Sequence, residues 1–431
     1  MGLSHSTKKK RRFLALGIGC LTILGIAIAI FLRVPANNIP QGSFPAGDAV
    51  VYFSPYAATN WAGDGGYVVA FDTAGAYSRF PTAGMGVGTV SWTQHGLFFA
   101  DVDNDYIVKD DMLHVILSPK VGNQDGLVVL ENGDWVGIYN GGFTPDGYNE
   151  EVVITSIANA SKSTVKNWAP LVAACGNDVY SVYVDLEEYY ETGITALGLS
   201  RIVHDGGHDE TLIAHEQSIF AETDLVNSNA PCVNNEVVFL SGAYLTYGTE
   251  RTEYTRAGNH QSVVNTCTIH LNQTGSAGCA TIERWNVRTG QRSVIELKDE
   301  TGLEIDLSPG SFIAGKYSAD TIRDDQLYWW HPDGLLLSTD IYSGSTQLIT
   351  VHERNADEMY EYLFDIVDDT AYVLMMPFVT TEDVGVTGTV GEFSLDTGEL
   401  IAEYTFTNLE IAIGHNQIPW SFKVSPEIHS R

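Results

Sequence analysis

Basic residues are scarce in this chain of 431: 23 Lys and Arg stand against 54 Asp and Glu, a formal charge of −31. Six of the 23 (Lys8, Lys9, Lys10, Arg11, Arg12 and Arg33) flank one apolar run near the N-terminus. The rest of the chain therefore carries 17 basic residues (23 − 6) against 54 acidic ones, or −37. Such a body repels nucleic acid, which excludes it as a partner, and attracts cationic partners or calcium. The same acidity also keeps an exposed protein soluble without any ligand. Five cysteines are present and no C-x-x-C, so zinc ribbons and thioredoxin-type redox chemistry are unsupported. No G-x-S-x-G occurs, and Ser241-Gly242 reads as a turn rather than a nucleophile elbow. No H-E-x-x-H occurs. Gly84-Met85-Gly86-Val87-Gly88 lacks the lysine of a phosphate-binding loop and reads as a bend between strands. Helical periodicity is nearly absent; only the stretches 185–192 and 356–362 read as helical turns.

The basic cluster Lys8 to Arg12 runs into an uncharged apolar stretch from Phe13 to Leu32. Twenty residues at about 1.5 Å each span about 30 Å, the thickness of a bilayer's hydrocarbon core. The expectation is one transmembrane signal-anchor helix over residues 13–32, with residues 1–12 cytoplasmic and the body extracytoplasmic. The rival reading is a cleaved signal peptide ending near Val34-Pro35-Ala36; the run is longer than an ordinary signal core, which favours the uncleaved anchor. Both readings export the body. Residues 33–45 are polar and turn-rich and read as a linker, and residues 46–425 as the ectodomain.

Four cysteines lie beyond the apolar run. An even number in an oxidising compartment suggests two disulfides. Cys267 and Cys279 bracket a Gly/Ser/Asn/Thr-rich stretch that reads as a stapled loop, and Cys175 with Cys232 then follows by elimination, although three pairings are formally open.

The body is rich in Tyr, Trp, Val, Ile and Thr in short runs broken by Gly, Asp and Asn, the pattern of an all-β fold. Three segments repeat: Asn286 to Gly290, Asp340 to Gly344 and Ser394 to Gly398, each between two strand-like runs. Their glycines are spaced by 54 and 54 residues. The first side chain of each can cap a tight turn, and the glycine supplies the positive-φ position. Weaker copies occur at Phe71 to Gly75, Asn159-Ala160-Ser161 and His204 to Gly207. A period near 50 residues of strand, turn and strand predicts a β-propeller of four-stranded blades, seven in number with six or eight as alternatives. Ring closure is expected to pair the first strand, Val50 to Phe53, with strands from the end of the chain. The repeat resembles the quinoprotein-like and YVTN-type propellers, whose blades carry a hydrophobic residue and Asp-x-x-Thr-Gly between their last two strands. The resemblance covers residues 280–410 and implies fold rather than activity. The chain lacks the adjacent cysteine pair of many quinone-dependent dehydrogenases and the Gly-His and Trp-Asp signatures of WD40 repeats.

Candidate site residues are few. Asp101, Asp103 and Asp105 alternate along an acidic loop and offer a candidate calcium site. Tyr106 and Met112 stand where an EF-hand needs Gly and Glu, so the site is not an EF-hand, and the competing reading is a solvated hairpin turn. His204, His208 and His215 are candidate zinc or copper ligands, weighed against an exposed polar turn. Glu187-Glu188 could serve glycoside hydrolysis, and Trp329-Trp330 and Tyr189-Tyr190 could stack on sugars; chance adjacency and blade packing are the competing readings. With a multi-loop platform and no readable catalytic set, the expected role is a non-enzymatic binding or scaffolding module for a protein, peptide or glycan. The alternative is a propeller hydrolase or lactonase with calcium or carboxylates at the ring axis.

Overall fold

The computed structural model describes residues 44, 47–55, 65–145, 147–166, 168–185, 188, 196–217, 222–224, 229–245, 270–271, 277–302, 316–331, 333–352, 360–377, 387–407, 409 and 417–430. The expected membrane segment 13–32 lies outside them; no helix of the described residues is long and apolar enough to cross a membrane. Seven antiparallel sheets follow one another along the chain, six of them of four strands. They fit seven propeller blades. Blade 2 is typical: Val90–Thr93, Gly96–Ala100, Asn104–Lys109 and Met112–Leu117, paired in that order from the axis outward. The fifth sheet adds Glu222–Asp224 and His270–Leu271 to its meander.

The first blade closes the ring. Its three outer strands are Ala49–Pro55, Gly66–Phe71 and Tyr77–Thr82, and its innermost strand is the C-terminal Gln417–Val424. Ala49 pairs with Val424 and Pro55 with Gln417, across a bulge at Tyr52/Phe53. The first strand thus pairs with the end of the chain as expected, though its partner follows the last complete blade and finishes the first. No sheet edge is left at the join.

Middle strands are buried on both faces because each blade is sandwiched between two others, so their alternation disappears. Val50, Val51, Tyr52 and Phe53 are all 0 % exposed. Aromatic side chains fill the wedges between blades, where their area contributes most. Phe98 stacks on Trp135 between blades 2 and 3 (centroids 5.5 Å apart), and Phe71 meets Phe406 between blades 1 and 7 at 4.3 Å. Trp329 and Trp330 are both fully buried, as the packing reading had it. Phe44, in the stretch expected to be a polar linker, is 2 % exposed and packs on Phe99. At the other end the ordered chain runs past residue 425 into a 3-10 turn, Ile428–Ser430, where His429 bonds the Tyr372 hydroxyl at 3.0 Å. Of the expected helical turns, Glu188 is helical, whereas Tyr360–Val367 is a strand; its first residues alternate Tyr-Glu-Tyr, a two-residue period that the blade exploits.

All six repeat segments occupy the same place, the turn between the third and fourth strands of a blade. In the strong copies the cap is direct: Asn286 Oδ1 accepts the N–H groups of Arg288 and Thr289, and Asp340 Oδ1 those of Tyr342 and Ser343. The glycines have a second role that the repeat alone did not reveal. At Gly344 and Gly398 (φ 74° and 70°) an added Cβ would strike the backbone carbonyls of Glu296 and Ile349, on the outer strand of the preceding blade. The turn therefore docks each blade on the one before it. Gly344→Ala should cost about 1–3 kcal/mol, read by urea denaturation. Gly302→Ala (φ 82°, nothing within 4 Å) carries only the conformational part. Equal losses in the two variants would show that docking contributes nothing.

Several two-residue turns use acidic or amide residues in the left-handed region: Asp110-Asp111 (φ 51° and 60°), Asn234-Asn235 (53° and 63°) and Asp324-Asp325 (46° and 64°). Such hairpins need positive φ at both positions, which Asp and Asn tolerate best after Gly. Part of the chain's acidity is thus backbone geometry.

Candidate functional site

Antiparallel order fixes what each end of the ring carries. Turns between first and second strands, and between third and fourth, lie at one end; turns between second and third strands, and crossovers to the next blade, lie at the other. The first end holds only tight turns between strands, together with the described residues just before Ala49 and the 3-10 turn Ile428–Ser430. Every long connection leaves and re-enters at the second end: those between Pro55 and Gly66, Val184 and Ala196, Gln217 and Cys232, Leu245 and Ala277, Glu296 and Ile322, Val351 and Tyr360, Pro377 and Gly388, and Phe406 and Gln417.

At the tight-turn end an opening of about 590 Å3 lies where the innermost strands of blades 2, 3 and 4 finish, lined by Thr93, Gln94, His95, Glu131 and Gly176 with Asp320 from blade 6. One residue of that lining, Asp320, is paired with Lys423 of the closing strand. The ammonium sits 2.7 Å from Asp365 Oδ1 of blade 7 and 3.0 Å from Asp320 Oδ2, and donates to Ser318 Oγ at 3.3 Å. Burial raises the Asp365 pKa and Lys423 opposes that rise.

The alternating triad is not brought together as a cation site. Asp101 is 1 % exposed and its carboxylate accepts the N–H groups of Ala83, Asp103 and Asn104 and the Tyr106 hydroxyl. Asp105 is 0 % exposed and pairs with Lys120 at 2.9 Å while accepting from Thr155 of blade 3. Asp103 is exposed. Residues 101–103 form the tight turn between Gly96–Ala100 and Asn104–Lys109, which breaks the two-residue alternation and leaves Asp103 in solvent, while Asp101 and Asp105 face inward and fasten neighbouring segments. The histidines also part. His204 pairs with Asp178 at 2.9 Å, and His208 bonds Ser161 and Ser163 of blade 3. His215 alone meets potential co-ligands: its Nε2 lies 3.2 Å from Asp185 Oδ2 and 3.5 Å from Glu188 Oε2. Among the described residues this is the one set of three such groups that converges. The sequence offered Glu188 only as the neighbour of Glu187 and did not offer Asp185 at all, because both lie about thirty residues from His215 and only the fold of blade 4 brings them to it. Ser241 sits inside the strand Glu236–Leu245 and donates to Glu283 at 2.7 Å, which removes it as a nucleophile. Cys175 and Cys232 form a disulfide that joins the innermost strands of blades 4 and 5. Cys267 with Cys279, Glu187 and Tyr189-Tyr190 lie outside the residues whose side chains are described.

A second pair was also illegible in the sequence. Asp125, on the innermost strand of blade 3, accepts side-chain N–H bonds from Asn123 (2.9 Å) and Asn140 (3.0 Å). Glu150, 0 % exposed, accepts the Ala169 N–H of blade 4 through Oε1 at 3.0 Å, while its buried Oε2 has no donor. Burial raises both pKa values, and the Asp125 charge pushes that of Glu150 further up. A proton shared between Glu150 Oε2 and Asp125 would satisfy the orphan oxygen, in keeping with the direction of both shifts. Because the folded pKa values are raised, the stability from this contact is full below the unfolded carboxyl range near about pH 4 and is lost as pH rises through the folded values. Glu150→Gln keeps both hydrogen bonds and cannot ionise. It should match the parent protein at about pH 4 and exceed its stability at neutral pH; a variant no more stable at neutral pH would refute the shared proton.

A ring of seven antiparallel sheets closed by a C-terminal strand is a β-propeller. Residues 46–228 match the family model of the YycP β-propeller domain. No curated protein matches the chain. Among solved structures, the chain is similar to apo AztD from Citrobacter koseri, at 11 % identity over 87 % of this chain and 97 % of that one, TM-score 0.44. It is also similar to the β-propeller domain of the Trilobed protease from Pyrococcus furiosus (11 % identity, 84 % and 98 % covered, TM-score 0.40) and to the GH43_1 enzyme from Xanthomonas citri complexed with xylose (10 % identity, 77 % and 85 %, TM-score 0.27).

Proposed function

We propose that this β-propeller is a binding or scaffolding module, held outside the cytoplasmic membrane by residues 13–32, that engages a protein, peptide or glycan through the ring end bearing the long connections. The observation that carries the reading is the asymmetry of the ring: tight turns at one end, every long connection at the other. A rigid framework that presents long connections on one face supplies a recognition surface without catalytic groups. The orientation rests on the basic cluster before the apolar run, and the Cys175–Cys232 bridge supports an oxidising compartment.

The test uses the full chain in detergent on peptide and glycan arrays. Binding should disappear when the connection between Leu245 and Ala277 is replaced by a short Gly-Ser turn, and should survive Asp110→Asn with Asp111→Gly at the opposite end. The reverse result would sink the proposal. Externally added protease should remove the body from spheroplasts, whereas protection would place it inside. A second reading, a hydrolase acting beside the axis, draws on Asp125, which stands half-buried on an innermost strand, with the buried Glu150, whose pKa burial and the Asp125 charge raise, on the third strand of the same blade. Turnover of an array ligand abolished by Asp125→Asn would support that reading.

A further inference from the structure

Asp185, Glu188 and His215 come from two parts of blade 4: the start of the connection after Asp178–Val184 and the outer strand Gly207–Gln217. We propose that they bind one first-row divalent cation of the zinc class. The donor atoms lie within 4.8 Å of one another. Two of the edges, 3.2 Å and 3.5 Å, bracket the about 3.4 Å edge of a tetrahedron built on metal–ligand distances of about 2.0–2.2 Å. A cation at the common centre would replace the direct His215–Asp185 hydrogen bond and set the third edge, which is no longer than 4.8 Å.

The ligands are also held. The Asp185 backbone N–H donates to Ala196 O at 2.9 Å, and Asp185 Oδ1 accepts the Glu188 N–H at 2.9 Å, which leaves Oδ2 toward the imidazole. The two carboxylates are half-buried, with side-chain exposures of 25 % and 20 %, and His215 stands at the exposed rim of the cluster; a cation between them is less screened than one in open solvent. The imidazole distinguishes this set from an acidic patch. Nitrogen with two carboxylate oxygens suits zinc, manganese or iron, whereas calcium and magnesium favour oxygen alone. The donor set is anionic, and the acidic body, at −37 (17 − 54), raises the cation concentration around it. Three protein ligands leave a fourth position for water or an incoming donor group, the pattern of an open zinc site. The inference does not depend on the binding reading, since the metal alone is the probe.

The full chain, stripped with a chelator and dialysed with its disulfides intact, is titrated with zinc, manganese and calcium by calorimetry. One zinc per chain should bind, with calcium at least tenfold weaker. His215→Ala and Asp185→Asn should each weaken zinc by about tenfold or more, while His204→Ala, at the other end of the same hairpin, leaves it unchanged. Circular dichroism and melting of the metal-free proteins verify that the variants are folded; if one is not, Glu188→Gln replaces it. Absence of stoichiometric zinc uptake, uptake indifferent to His215 and Asp185, or equal affinity for calcium would each overturn the assignment.

Discussion

Replacing Lys423 by methionine should cost about 3–5 kcal/mol at neutral pH, the usual loss when one partner of a buried ion pair is removed. The aliphatic stem is kept and the ammonium is lost. Asp365, whose side chain is 3 % exposed, would keep only the Val424 N–H at 2.9 Å. Lys423 is the group that holds the Asp365 pKa down against burial, so in the variant the folded pKa rises further. A raised folded pKa means stability that is present below the unfolded carboxyl range and lost as pH climbs. The penalty should therefore shrink toward about pH 4 and be largest near neutrality. Adding Asp365→Asn should restore much of the loss, because no charge is then left buried alone. Urea denaturation of the two variants across pH reads all three expectations. A loss below about 1 kcal/mol, the worth of a surface pair, would show that the closing strand is not locked this way. The effect matters for the whole ring, since Lys423 lies on the strand that completes blade 1 and reaches side chains of blades 6 and 7.

Cutting the Cys175–Cys232 bridge should cost about 2–4 kcal/mol. The cross-link closes a loop of sequence separation 57, for which the chain-entropy estimate is about 4 kcal/mol, with measured values commonly lower. Paired Cys175→Ser and Cys232→Ser substitutions, unfolded in urea without reductant, give the value directly. If dithiothreitol destabilises the parent protein no more than the double variant, the bridge contributes nothing. Any further effect of reductant on the double variant reports a bridge between Cys267 and Cys279. Thiol-blocking before lysis adds a localisation readout, since a bridge present at that moment formed in an oxidising compartment.

Much of the fold was legible because it is written locally. The repeat turns mark the same hairpin in six of the blades, five of them ending in glycine, and positive φ at Gly290, Gly344 and Gly398 is a backbone need that few other residues meet. Blade 2 hid from the repeat because its turn, Asp110-Asp111, meets the same need with aspartate. Side-chain constellations were much less legible. Asp101 and Asp105 looked like cation ligands by spacing, yet their partners, Ala83, Lys120 and Thr155, come from other connections and blades. His215 was found, but beside the wrong companions.

By itself the amino-acid sequence determined an acidic, strand-built body in repeating hairpins behind an apolar run, because turn chemistry, alternation and charge act between near neighbours along the chain. Only the tertiary structure decided which acids are fasteners between blades, which are turn residues and which gather around His215. Those outcomes depend on partners brought within about 3 Å by ring closure, a distance that no spacing along the chain encodes.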